Sequence, residues 1–248
     1  MNIYLYDGSF EGLLTAIFYA YKEKNDLDIV IRSKFVKNFI NHEIVIERDD
    51  EIFKRVYESI KYKLSQNTLK NVYYLYLSGV QGSEKLIYDY LKLCYKYGDK
   101  INLAKNNDII CYVDKLYRRI SLEAHRFEGF VRFKEVGEKI FYSEIEPDYN
   151  ILPLIMWHFA ERFSDQHFVI HDTKREMAIV YDTNEVYIRE LLKEYRDKIS
   201  SHSKEDGFEN LFKVFYDSIN IKERYNPKQR NSYMPKRYWK NLIELEEK

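Results

Sequence analysis

The chain of 248 residues contains only two cysteines, four prolines and eight glycines, and its 40 basic and 40 acidic side chains cancel. Each scarcity excludes something. Cys94 and Cys111 are too few for a disulfide scaffold or a cysteine-ligated iron-sulfur cluster within this chain, so a reduced, cytoplasmic setting is expected. So little Gly and Pro argues against long disordered or low-complexity spans, and no internal repeat is found. Zero net charge gives no bulk attraction to nucleic acid or anionic membrane, so any such binding must come from local patches. The longest apolar run, ILPLIMWHFA from Ile151 to Ala160, falls far short of the roughly 20 residues a membrane helix requires.

What remains is 45% hydrophobic and 32% charged, enough to build a large core. NIYLYD reads as a strand and GSFEGLLTAIFYAYKEK as a helix capped by Ser9. DIVIRS and EIVIER are short strands, followed by helices over 50–65, 68–77 and 83–97 and a long helix over 107–128 stopped by Gly129. FVRFKEV and KIFYSEIEP form a hairpin, ILPLIMWHFAERF a helix, and HFVIHD, EMAIVYD and EVYIRE three antiparallel strands. SSHSKEDG, 200–207, reads as a linker before a helix over 208–219. The expected fold is α+β, a helical layer packed with a central antiparallel sheet. It reads as a single domain over 1–248, with sub-divisions at 1–105, 106–199 and 200–248.

Positive charge concentrates in two places. Between 222 and 240 stand Lys222, Arg224, Lys228, Arg230, Lys236, Arg237 and Lys240 against Glu223 alone. Phosphate recognition requires such a cluster. Pro235 is placed to begin a short helix, on which Tyr238, Trp239, Leu242 and Leu245 make an apolar stripe, with Trp239 as a core anchor. On the helix over 107–128, Leu116, Ile120, Ala124 and Phe127 share one arc, with Arg118, Arg119, His125 and Arg126 opposite. Glu123 reads as a border residue that fixes Arg119 or Arg126. Arg118, Arg119, His125, Arg126, Arg132, Lys228, Arg230, Lys236, Arg237 and Lys240 are the candidate nucleic-acid contacts, the C-terminal segment forming one wall of a groove and Arg118, Arg126 and Arg132 the other.

A second candidate is YDGSFEG. Asp7, Gly8, Ser9 and Glu11 lie where a strand turns into a helix, a place that can present backbone N–H groups to an anion. The two acids oppose a phosphate unless a metal intervenes, and a helix cap explains the motif without a ligand. His167 and His171 do not form a metal motif on a strand, and His158 reads as a satisfied core or surface histidine. No nucleophile elbow, Cys/His pair or Walker loop is present, so neither a catalytic residue nor a cofactor is assigned.

YDGSFEGLLTAIFYAY, LYRRISLEAHRFEGFVRF, IEPDYNILPLIMWHFAERF and NPKQRNSYMPKRYWKNL, in that order, resemble a bacterial family of DNA metabolism and repair proteins whose function is otherwise unknown. The resemblance implies a role beside DNA. Family members are encoded next to a radical-SAM protein of DNA modification or repair, or are fused to a domain of the uracil-DNA-glycosylase superfamily, and either is then a partner. The expectation is an accessory protein that binds the nucleic-acid backbone. Its rivals are an enzyme or a nucleotide- or metal-binding protein using YDGSFEG, and a scaffold that binds only the partner.

Overall fold

The first strand, β1 (Asn2–Tyr6), is buried along almost its whole length, which a strand achieves only with cover on both faces. In the computed structural model, which describes residues 1–23, 26–37, 41–192, 194 and 226–242, β1 is the middle of a three-stranded parallel sheet. Its neighbours are β2 (Leu27–Ile31) and β3 (His42–Val45). A parallel pair needs a crossover, and α1 (Phe10–Ala20) provides the one from β1 to β2, burying Leu13, Leu14 and Ile17. The chain divides into two compact units, 1–120 and 121–248, and this sheet belongs to the first.

The remainder of the first unit is helical. Asp49 caps α2 (Asp50–Ser59) by accepting from the N–H groups of Glu51 and Ile52, and the helix widens into a π turn over Ile60–Leu64. After it come α3 (Gln66–Leu77) and α4 (Ser83–Tyr97), the latter stopped at Gly98, whose φ of 75° suits only a residue without Cβ. Ser65 caps α3 and is tied to Asp99, whose Oδ1 accepts from Ser65 Oγ (2.5 Å), Thr68 Oγ1 (2.7 Å) and Asn102 Nδ2 (3.0 Å). The long helix α5 (Asp108–Phe130) begins in this unit and ends in the second.

The second unit carries a five-stranded sheet in simple sequence order: β4 (Lys134–Gly137), β5 (Ile140–Ile145), β6 (His167–Asp172), β7 (Met177–Tyr181) and β8 (Val186–Glu190). The α+β class holds, but the sheet is mixed where a purely antiparallel one was expected. β5 and β6 run parallel because α6 (Leu152–Arg162) lies between them and returns the chain to the end it left. The hairpin β4–β5 and the meander β6–β7–β8 are antiparallel as read. The core gathers Ala124 and Phe127 of α5, Ile155 and Phe159 of α6, Phe168 and Ile170 of β6, and Tyr238.

Both cysteines are free, and no described helix is long and apolar enough to cross a membrane. The linker at 200–207 and the helix over 208–219 lie outside the described residues, as do Lys222, Arg224 and Leu245.

The Asp99 cluster gives a stability test. Its hydrogen bonds, Ser65's foremost, hold the carboxyl below the usual Asp range. A depressed folded-state pKa stabilises fully above the unfolded value of about 3.9 and is lost as pH falls through the folded value. Asp99→Asn should therefore cost about 2 kcal/mol at pH 7 in urea unfolding. The difference from wild type should shrink below about pH 4.

Candidate nucleic-acid interface

Helix α5 carries the first of the two basic segments. Leu116, Ile120, Ala124 and Phe127 are buried, while Arg118, Arg119 and His125 are exposed and Arg126 is half-buried. Arg118 pairs with Asp114 (3.2 Å) in the first unit, to which the exposed Arg119 also belongs. In the second unit His125 faces Glu128 (3.1 Å), and Arg132 donates to the carbonyls of Gly129 (2.6 Å) and Val131 (3.2 Å).

Glu123 corrects the sequence reading. It is 3% exposed and accepts from neither Arg119 nor Arg126; its carboxylate takes the backbone N–H groups of Asp148 (Oε1, 2.9 Å) and Tyr149 (Oε2, 2.9 Å) and the hydroxyl of Tyr238. The signal was in the spacing. Glu123 lies seven residues after Leu116 and four before Phe127, and at about 100° per residue all three share the buried phase. A carboxylate there must be satisfied from inside the fold.

That requirement ties down the C-terminal segment. The Tyr238 ring packs edge-on against Phe127, centroids 4.9 Å apart, and against Phe130 at 5.9 Å. Burial first, and then the Glu123 charge, raise the Tyr238 phenol above its ordinary pKa, so it remains a donor. Arg237 donates to the Tyr238 oxygen (2.8 Å) and pairs with Asp148 (3.1 Å), while Lys240 pairs with Glu146. Arg175 holds the same loop, donating to the carbonyls of Pro147 (3.1 Å) and Asp148 (2.6 Å) and to the buried Asp172 (2.7 Å). The loop 146–149 thus collects one buried acid and three cations. The sequence reading missed its role, although its acids Glu146 and Asp148 flank a proline within the quoted motif IEPDYN.

Ahead of Tyr238 lies α7 (Pro227–Tyr233), a helix the sequence reading omitted although Asn226 caps it onto Gln229 N (3.1 Å) with Pro227 in its first turn. The helix begun at Pro235 is a 3₁₀ turn over Lys236–Asn241. Tyr238 and Leu242 are buried as the stripe required, but Trp239 is only half-buried and is no core anchor. Its Nε1 donates to the Met234 carbonyl (2.8 Å), the Arg230 guanidinium stacks over its ring at 4.6 Å, and the Lys236 ammonium lies 5.6 Å away. A short 3₁₀ turn eclipses residues three apart, so positions 238 and 239 cannot both face the core. Lys228 is exposed. Arg126 donates to the Ser232 carbonyl (2.7 Å), which puts the two basic segments in direct contact.

The rival turn is closed on itself. Asp7 Oδ1 accepts from Ser9 N (2.9 Å) and Ser9 Oγ (2.7 Å), and Ser9 Oγ caps α1 by accepting from Gly12 N (2.9 Å). A Cβ on Gly12 would lie 2.1 Å from Asp7 Oδ1, so only glycine fits beside that carboxylate. Gly8, at φ 94°, accepts at its carbonyl from the Tyr76 hydroxyl (3.0 Å), whose pKa is pushed up to about 12 by burial and then by Glu11. Glu11 sits 4.0 Å from Arg48. No group of three or more His, Cys, Asp or Glu that could hold a metal occurs among the described residues. Buried His171 fills a structural place: its Nε2 donates to the Leu191 carbonyl (2.9 Å), and its Nδ1 shares a hydrogen bond with the Tyr142 hydroxyl (2.7 Å). His158 is not the satisfied histidine expected, since its buried Nε2 has no hydrogen-bond partner among the described residues.

A domain of unknown function, DUF4130, matches residues 81–244, well over half of the chain. The chain belongs to the DUF4130 family. The match takes in the whole of α5, the mixed sheet, α7 and the 3₁₀ turn, but not the YDGSFEG turn. No curated protein and no solved structure matches the chain.

The anchor can be checked directly. Glu123→Ala strands two backbone N–H groups and a phenol, and should cost about 3 kcal/mol or more in denaturant unfolding. Tyr238→Phe, which keeps the ring but loses the donor, should cost about 1–2 kcal/mol. Limited proteolysis should leave 226–240 intact in wild type and cut it faster in both variants.

Proposed function

We propose that the second unit of this DUF4130 protein binds the phosphate backbone of nucleic acid as an accessory to DNA repair or modification, working beside the radical-SAM protein that the family resemblance implies. The observation that carries the reading is the hydrogen bond from Arg126 to the Ser232 carbonyl, 2.7 Å, by which α5 and α7 bring their cations together. Held cations bind phosphate better than tethered ones, because less side-chain freedom is lost on contact.

The geometry narrows the list of contacts. Arg237 and Lys240 are matched by Asp148 and Glu146, so their charges serve the anchor first. Lys228, Lys236 and Arg230, with Arg126 on α5, supply the outward field, and the half-buried Trp239 beneath Arg230 and Lys236 adds an aromatic face. Arg132 stands beside a cavity of about 670 Å³ lined by Phe133, Phe141, Phe159 and Phe163. An enzyme or a ligand site at YDGSFEG has weaker support, since Asp7 and Ser9 already bond to each other.

Backbone binding is nearly indifferent to sequence and steeply salt-dependent. Three or four contacts give a log-log slope of about −3 on duplex DNA, where each contributes about −0.9. Lys228→Ala/Lys236→Ala, both exposed and outside the anchor, should lower that slope by about one to two units without changing the melting temperature. If the folded double variant binds with the wild-type slope, the interface is wrong. If wild type binds neither single- nor double-stranded DNA yet captures the radical-SAM partner, the protein is a scaffold.

A further inference from the structure

A cavity of about 710 Å³ opens in the first unit, within the range of small-molecule sites. Its floor is apolar, with Ile17 and Phe18 from α1, Val56 from α2, and Leu91 and Tyr95 from α4. The π turn contributes Tyr62 and Lys63 to its edge, and Tyr21 stands there just beyond α1. Tyr62 is 73% exposed and Tyr21 46%, so two large rings are left in water at the mouth of an apolar cleft. Such turns are rare and concentrate at functional sites.

The rim is cationic. Lys22, Lys54, Arg55 and Lys63 line the cavity against Glu51 and Glu58, and none of these lysines makes an ion pair among the described residues. The Arg55 guanidinium lies 5.5 Å from the centroid of the Phe18 ring, placing one charge at the edge of the apolar floor. A neutral apolar molecule would leave this excess of positive charge unused, and a cation would be repelled by it. A planar ring system bearing a phosphate, sulfonate or carboxylate uses both features: its body stacks among Phe18, Tyr62 and Tyr95, and its charge meets the lysines.

From this combination we infer that the cleft between α1, α2, the π turn and α4 is a binding site for a small aromatic anion. All its residues belong to the first unit, whereas the proposed nucleic-acid interface belongs to the second.

The probe is 8-anilinonaphthalene-1-sulfonate, titrated by fluorescence against the full chain under conditions where near-UV circular dichroism and a cooperative melt confirm the folded state. N-phenyl-1-naphthylamine, its neutral counterpart, is titrated alongside. The sulfonate should bind saturably at one site per chain and more tightly than the neutral compound. Lys54→Glu/Lys63→Glu, two exposed changes, should weaken the sulfonate by about tenfold or more and leave the neutral compound unchanged. Tyr62→Ala, also at an exposed position, should weaken both. Absence of saturable binding, equal affinity for the two compounds, or wild-type sulfonate affinity in the charge-reversed variant would each overturn the assignment.

Discussion

A carboxylate in the core has to be given hydrogen bonds by the fold around it, and in the second unit that demand is made by Glu123. An ionised carboxyl left unpaired at 3% exposure would be severely destabilising, so three donors converge on it. Two are backbone N–H groups of the loop 146–149, which fixes where β5 hands over to α6. The third is the Tyr238 hydroxyl, which fixes where the C-terminal segment lies. Two cations of that segment reach the loop acids beside it, Arg237 to Asp148 and Lys240 to Glu146, while α7 meets Arg126. The charge pattern that suggested phosphate binding is thus partly the outer layer of a structural anchor. One buried acid holds the C-terminal part of the candidate interface in place.

Much of this was legible in the sequence wherever a short-range rule decides the outcome. Alternation found β6, β7 and β8, and the helical period found the buried face of α5 at Leu116, Ile120, Ala124 and Phe127. Ser9 capped the helix it was read to cap. Failures came where a partner far along the chain decides. Glu123 was assigned to arginines on its own helix because local ion pairs are what a sequence displays, whereas the donors it uses stand 25, 26 and 115 residues away. Its helical phase, equal to that of Leu116 and Phe127, was the available warning. Strand direction was missed for a related reason: α6 was read correctly as a helix, but its effect is to make β5 and β6 parallel, a property of connection and not of either strand.

The first unit follows a different logic. With β1 between β2 and β3, all parallel, the turn after β1 sits at the carboxyl end of the central strand, where open α/β sheets commonly receive ligands. Here that position is filled by its own chemistry. Asp7 faces Ser9 and would collide with any side chain at position 12, and the Tyr76 hydroxyl closes on the Gly8 carbonyl. Of the two acids that invite a metal reading, Asp7 is thus explained by turn geometry, while Glu11 faces Arg48. A cavity of this unit lies among the helices, lined by α1, α2, the π turn and α4 and by none of the residues of that turn.

The separation of 115 residues between Glu123 and Tyr238 also has a temporal side. A polypeptide made from its N-terminus has synthesised α5 and every described strand of the mixed sheet before residue 238 exists, so a second unit that folded as it emerged would hold an acid short of one donor throughout that interval. Closing so long a loop costs only slightly more entropy than closing one half its length, and the cost is met in a single late event. In such a chain the 3₁₀ turn over Lys236–Asn241 would dock after α5 and the sheet are made, and the basic face would take shape only once Tyr238 can lock it. A nascent chain lacking that residue would carry the cations of α5 but not the surface they help to form.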